Sequence, residues 1–109
     1  MGGPGSGRSR GIVDQTRHHV YLSPRLRARI ERSALRRKVP VSDEIRRLVD
    51  RGLGRLIGAE DIDRQPLNGG VRMFAYLGRE QSEEIRELMG RFGTMFSATF
   101  RAVVVAGLK

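Results

Sequence analysis

The chain has 109 residues, 39% of them hydrophobic and none of them cysteine, which allows one domain or two half-domains on a shared core and excludes disulfides and thiolate metal sites. It carries 21 Lys+Arg against 12 Asp+Glu, a net charge of +9, and this is the footprint of a protein that meets a polyanion, most commonly nucleic acid. No apolar run approaches the roughly 20 residues that span a bilayer, and the N-terminus lacks the apolar stretch of a signal peptide, so a soluble, cytoplasmic protein is expected.

Residues 1–14 read as a glycine-rich basic tail, with Arg8 and Arg10 as the charges of a flexible arm. A strand is expected next, because Val20 and Leu22 alternate with His19 and Tyr21 in the period-2 pattern of a half-buried ribbon. Ser23 then caps a helix that has Pro24 at its first position, where the missing N–H costs nothing. Leu26, Ile30 and Ala34 line one face of this helix, and "KVPV" at 38–41 breaks it. Ser42 is expected to cap a second helix, with Asp43 and Glu44 in a first turn that suits negative charge. Its apolar stripe runs through Ile45, Leu48, Val49, Gly52, Leu53 and Leu56.

A linker over 57–70 leads to a second strand, in which Val71, Met73, Ala75 and Leu77 alternate with Arg72, Phe74 and Tyr76. The following helix places Ile85, Leu88, Met89 and Phe92 on one face and breaks at "GT", 93–94. Ser97 is expected to cap the last helix, striped by Phe100, Val103, Val104, Gly107 and Leu108. Ala102, Val105 and Ala106 lie elsewhere on that helix, which predicts that its outer face meets either the linker or, in self-association, a second molecule.

Shifting the sequence by 55 aligns residues 17–53 with 72–108 without a gap, and ten of the 37 pairs are identical. Arg17/Arg72, Tyr21/Tyr76, Leu22/Leu77, Ser42/Ser97, Arg46/Arg101 and Gly52/Gly107 are among them. Strand, cap and core positions coincide together, so the chain is read as an internal repeat with halves at 15–56 and 71–109. A lone strand cannot satisfy its own backbone groups, whereas two strands in one chain can pair. The stretch 54–70 reaches ~55 Å when extended, against a domain ~26 Å across, so the second strand can return antiparallel to the first. The charge is lopsided: residues 1–55 hold 14 basic and 5 acidic groups, and residues 56–109 hold 7 and 7.

Strand, helix, turn and helix within about 40 residues resembles the ribbon-helix-helix family. "VYLSPRLRARI" is similar to its strand-to-helix join and "VSDEIRRLV" to the opening of its second helix. The resemblance covers 17–53 and 72–108, about two-thirds of the chain. It implies an α+β, mostly α fold in which two tandem motifs form a single-chain pseudo-dimer, with one two-stranded antiparallel ribbon and four helices. Family members usually dimerise through a shared ribbon; the tandem form is similar to accessory proteins of conjugation and T-DNA transfer. The implied function is sequence-selective binding of double-stranded DNA at a conjugative transfer origin or similar mobile-element site, alongside other DNA-processing proteins. An autoregulatory transcriptional repressor and a protein-interaction module without DNA are the alternatives. No enzyme, metal or cofactor is expected, because no serine, lysine or carboxylate constellation accompanies the histidines.

If Val20 and Leu22 face inward, then Arg17, His19 and Tyr21 face outward, and parity puts Arg72, Phe74 and Tyr76 outward from the second strand. A ribbon in the major groove meets a distinct donor and acceptor pattern at each base pair, with arginine suited to guanine and tyrosine to thymine. Family members read bases from these positions, so the resemblance implies base contact for all six; the competing account is an ordinary edge ribbon with aromatic cross-strand pairs. Phe74 departs from the family's mostly polar groove face. His18 is expected to point inward as a structural residue. The first turns of the second helices, at Ser42 and at Ser97, Ala98 and Thr99, are the expected phosphate contacts together with Arg8 and Arg10.

Overall fold

The computed structural model describes residues 15–65 and 67–109, so the expected arm with Arg8 and Arg10 lies outside the described residues. Strand β1 (Thr16–Leu22) leads into helices α1 (Pro24–Arg37) and α2 (Val41–Leu53). A 3-10 turn at Ala59–Asp61 interrupts the connection to β2 (Val71–Leu77), which is followed by α3 (Arg79–Phe92) and α4 (Phe96–Leu108). The fold is α+β and mostly helical, with one two-stranded antiparallel sheet and four helices.

The ladder runs from Thr16 opposite Leu77 to Leu22 opposite Val71, with Arg17 against Tyr76, His19 against Phe74 and Tyr21 against Arg72. The 55-residue shift converts Arg17, His19 and Tyr21 into Arg72, Phe74 and Tyr76. The ladder therefore maps onto itself, with the His19/Phe74 pair at its centre. Val20, Leu22, Ala75 and Leu77 are fully buried beneath the ribbon. There they meet Leu26 and Ile30 of α1, Ile45, Leu48 and Val49 of α2, Ile85 of α3, and Phe100, Val103 and Val104 of α4 in one core.

Helix ends follow local chemistry in the first helix of each half. Ser23 Oγ accepts a hydrogen bond from the Leu26 N–H at 3.1 Å, and Pro24 opens α1. In α3, Gln81 takes over the capping role: its Oε1 accepts from the Gly78 N–H at 2.9 Å. Both helices end on a left-handed residue, Lys38 (φ 59°) and Gly93 (φ 64°). The next N–H turns back in each case, Val39 to the Ala34 carbonyl and Thr94 to the Met89 carbonyl, closing the same terminal motif 55 residues apart.

The second helices depart from expectation. α2 begins at Val41 after Pro40, and α4 at Phe96 after Met95, so neither Ser42 nor Ser97 is a cap. A capping residue needs extended dihedrals, and those belong to Pro40 (ψ 152°) and Met95 (ψ 161°). Each serine sits inside the first turn instead. Leu56 also departs: α2 ends at Leu53, and Leu56 is fully exposed beyond it rather than on the apolar stripe.

α2 and α4 cross with almost no side chain between them. A Cβ on Gly52 would lie 1.9 Å from the Val103 carbonyl oxygen, and one on Gly107 2.1 Å from that of Leu48. Leu48 and Val103 are themselves partners under the 55-residue shift, so the crossing repeats the symmetry of the ladder. Only glycine permits this approach.

Two polar ties flank the core. Glu44 is buried, accepts hydrogen bonds from Ser33 Oγ and from Arg47 at 2.7 and 3.0 Å, and pairs with Arg37 at 3.1 Å. At the equivalent place in the second half, Thr99 and Thr94 share a hydrogen bond of 2.7 Å. The linker packs too: Ile57 and Ile62 are buried in the same core as Ala102, and Arg64 donates to the Phe92 and Gly93 carbonyls at the end of α3. Part of the outer face of α4 is thus covered by the chain itself, while Val105 and Ala106 stay half-buried. Among the described residues, no helix is long and apolar enough to cross a membrane.

Candidate nucleic-acid interface

Arg17, His19, Tyr21, Arg72, Phe74 and Tyr76 are all exposed on the face of the ribbon opposite the core. Tyr21, Phe74 and Tyr76 keep 47%, 39% and 38% of their surface open to solvent. Alternation along two seven-residue strands suffices to present them, because every second side chain of a strand shares a face.

The ribbon's outer edges are held by α2 and α4 in a crossed pattern. Arg46 of α2 donates to the Tyr76 carbonyl at 3.2 Å, and Arg101 of α4 donates to the Tyr21 carbonyl at 2.9 Å. Each arginine therefore clamps the strand of the opposite half. Ser97 Oγ accepts from the Tyr21 N–H at 3.2 Å, adding a second tie on the α4 side. Because the Tyr21 N–H and carbonyl both point away from β2, Tyr21 and Arg72 form a non-hydrogen-bonded pair. Side chains of such pairs stand closer together. Arg46 and Arg101 were not among the expected site residues, although their identity across the repeat was a signal for them.

The helix starts differ in what they offer an anion. Neither α2 nor α4 has a side-chain cap on its first turn, so the free N–H groups and positive dipole end of each flank the ribbon. At α2 the negative Asp43 stands beside this end and is paired with Arg46. At α4 the equivalent residue is Ala98, which brings no charge. Thr99 is unsuited to phosphate: its N–H donates to Met95 O at 3.0 Å and its hydroxyl to the same oxygen at 2.8 Å, leaving the side chain buried. Ala98 is buried in the core as well, which leaves the half-buried Ser97 as the more open residue of that turn.

His18 faces inward. Its Nε2 shares a 2.9 Å hydrogen bond with Ser82 Oγ, and its ring stacks on Phe96 at 4.3 Å. Burial, and then the charge of Arg86, lowers its pKa, so it ties β1 to α3 and α4 as a neutral group. Arg101 is likewise drawn down by burial, with Asp63 opposing, yet an arginine stays charged at any physiological pH.

Compared with protein-family models, with curated proteins and with solved structures, the chain finds no match.

Proposed function

We propose that this chain is a tandem ribbon-helix-helix protein, a single-chain pseudo-dimer that binds double-stranded DNA by laying its ribbon in the major groove. The observation that carries the reading is the outward face of the ribbon, where Arg17, His19 and Tyr21 oppose Tyr76, Phe74 and Arg72 about a self-mapping ladder. Strands in a ribbon lie about 4.7–4.9 Å apart, well inside a groove about 12 Å wide. The crossed Arg46 and Arg101 clamps and the Gly52/Gly107 crossing support the pseudo-dimer, since each repeats a contact of one half in the other. The net charge of +9 supports a polyanionic partner.

In this reading the arginines and tyrosines read base edges, and the starts of α2 and α4 hold the phosphates on either side of the groove. The tandem arrangement suits an accessory protein at a conjugative transfer origin or a similar mobile-element site, where one chain marks one position. Selecting bound sequences from a random duplex pool tests the proposal. Arg17→Ala and Arg72→Ala should each cost about 1–3 kcal/mol and relax preference at one base pair, in opposite half-sites. An Arg46→Ala or Arg101→Ala variant loosens the ribbon edge and should weaken all sequences alike. Retained wild-type preference in both ribbon variants would sink the proposal.

A further inference from the structure

The two arginines of the ribbon stand in different surroundings. Arg17 places its guanidinium carbon 4.8 Å from the centre of the Phe74 ring, within the range in which a cation is attracted to an aromatic face. Phe74 is itself held from the side by His19, whose ring meets it edge-on at 4.6 Å and 76°. Among the described residues, Arg17 is the one guanidinium stacked in this way. The register explains why. Arg17 pairs with Tyr76, so Phe74, one step along the ladder, is its diagonal neighbour, within reach of a long side chain. For Arg72, paired with Tyr21, the same diagonal leads to His19. The chain thus breaks its own symmetry at the central pair, where one half has histidine and the other phenylalanine.

We propose that Phe74 is a positioning residue that pre-sets Arg17 for base contact, so that the half-site under β1 is read more strictly than the half-site under β2. The inference rests on the ribbon reading above and deepens it. A stacked guanidinium keeps its N–H edge free for the two acceptors of guanine while its rotamer freedom is already reduced, so less order has to be imposed on binding. Arg72 has no such stacked contact among the described residues and must be ordered by the DNA. Phe74 itself acts through Arg17, as a platform rather than as the reader of the central step.

The full chain and its selected duplex provide the test. Arg17→Ala and Arg72→Ala first define the base position that each arginine reads, and competition by single-base variants of the duplex then measures preference there. Phe74→Leu should lower preference at the Arg17 position by roughly 2- to 5-fold, the factor expected from an exposed cation–aromatic contact, and leave the Arg72 position unchanged. Phe74→Tyr keeps a ring and should restore it. His19→Phe gives Arg72 a platform and should sharpen preference at the Arg72 position. Phe74 is on the outer face, so circular dichroism of each variant should match the parent. If Phe74→Leu alters only the central base pair, or alters nothing, the platform role is wrong while the ribbon reading stands. If Arg17→Ala relaxes no base, the ribbon reading fails and the platform role falls with it.

Discussion

Glu44 shows how much one side chain can carry. A fully buried carboxylate is costly unless it is paired and hydrogen-bonded, and Glu44 has Arg47, Ser33 and Arg37 around it. The Arg47 hydrogen bond, helped by Ser33 and by the charges of Arg47 and Arg37, holds its pKa at about 2 against the opposing effect of burial. The unfolded carboxyl titrates near 4.5. Its contribution to stability is therefore complete above about pH 4.5 and is lost as pH falls towards about 2. Exposure of the two arginines limits the total to no more than about 3 kcal/mol. Urea midpoints measured between pH 5 and pH 2 should fall steeply for the parent. Glu44→Gln should start lower and show a flatter acid slope; equal slopes would mean that Glu44 does not drive the acid transition.

Among the helices, the paired endings of α1 and α3 offer a comparison within one molecule. Both need a left-handed residue, and α3 has Gly93 where α1 has Lys38. A residue with a Cβ is strained there, by about 1–2 kcal/mol relative to the right-handed region. Glycine relieves the strain but adds freedom to the unfolded chain. Lys38→Gly should therefore stabilise the protein by about 0.5–1 kcal/mol and raise Tm by a few degrees, read by thermal unfolding. A lowered Tm would show that the Lys38 side chain contributes more than its backbone strain costs.

The whole molecule is unequal on its two sides. Net charge sits in residues 1–55, and the outer face of α4 is more apolar than that of α2. Linker residues Ile57 and Ile62 join Ala102 in the core, but Leu56, Val105 and Ala106 still border one cavity of about 250 Å³. In the proposed DNA-binding reading a single chain supplies both strands of the ribbon, so one chain per site is expected in sedimentation. Contact between neighbouring chains through α4 should appear as cooperative filling of adjacent sites. Val105→Glu should remove that cooperativity while leaving affinity for a single site unchanged. Unchanged cooperativity would show that the linker covering is sufficient.

Local patterns in the chain were enough to place both strands, all four helices and the outward parity of the six ribbon residues. Alternation, a Ser-Pro start and a turn at 93–94 act over a few residues and need no distant partner. The 55-residue repeat likewise marks a strand and two helices twice along the chain. Tertiary packing decided what the pattern left open. The turns at Ser42 and Ser97 begin earlier than their capping residue types suggest, and Ser97 spends its hydroxyl on Tyr21 instead. Glu44, expected as a first-turn acid beside Asp43, is buried with a hydrogen bond from Ser33 of α1, and the Gly52/Gly107 contact exists only because two helices cross there. Register is the clearest case. Parity along each strand says which side chains face outward, but only the pairing of β1 with β2 sets Arg17 over Phe74 and Arg72 beside His19. Facing is a property of one strand, whereas neighbourhood across a ladder is a property of two.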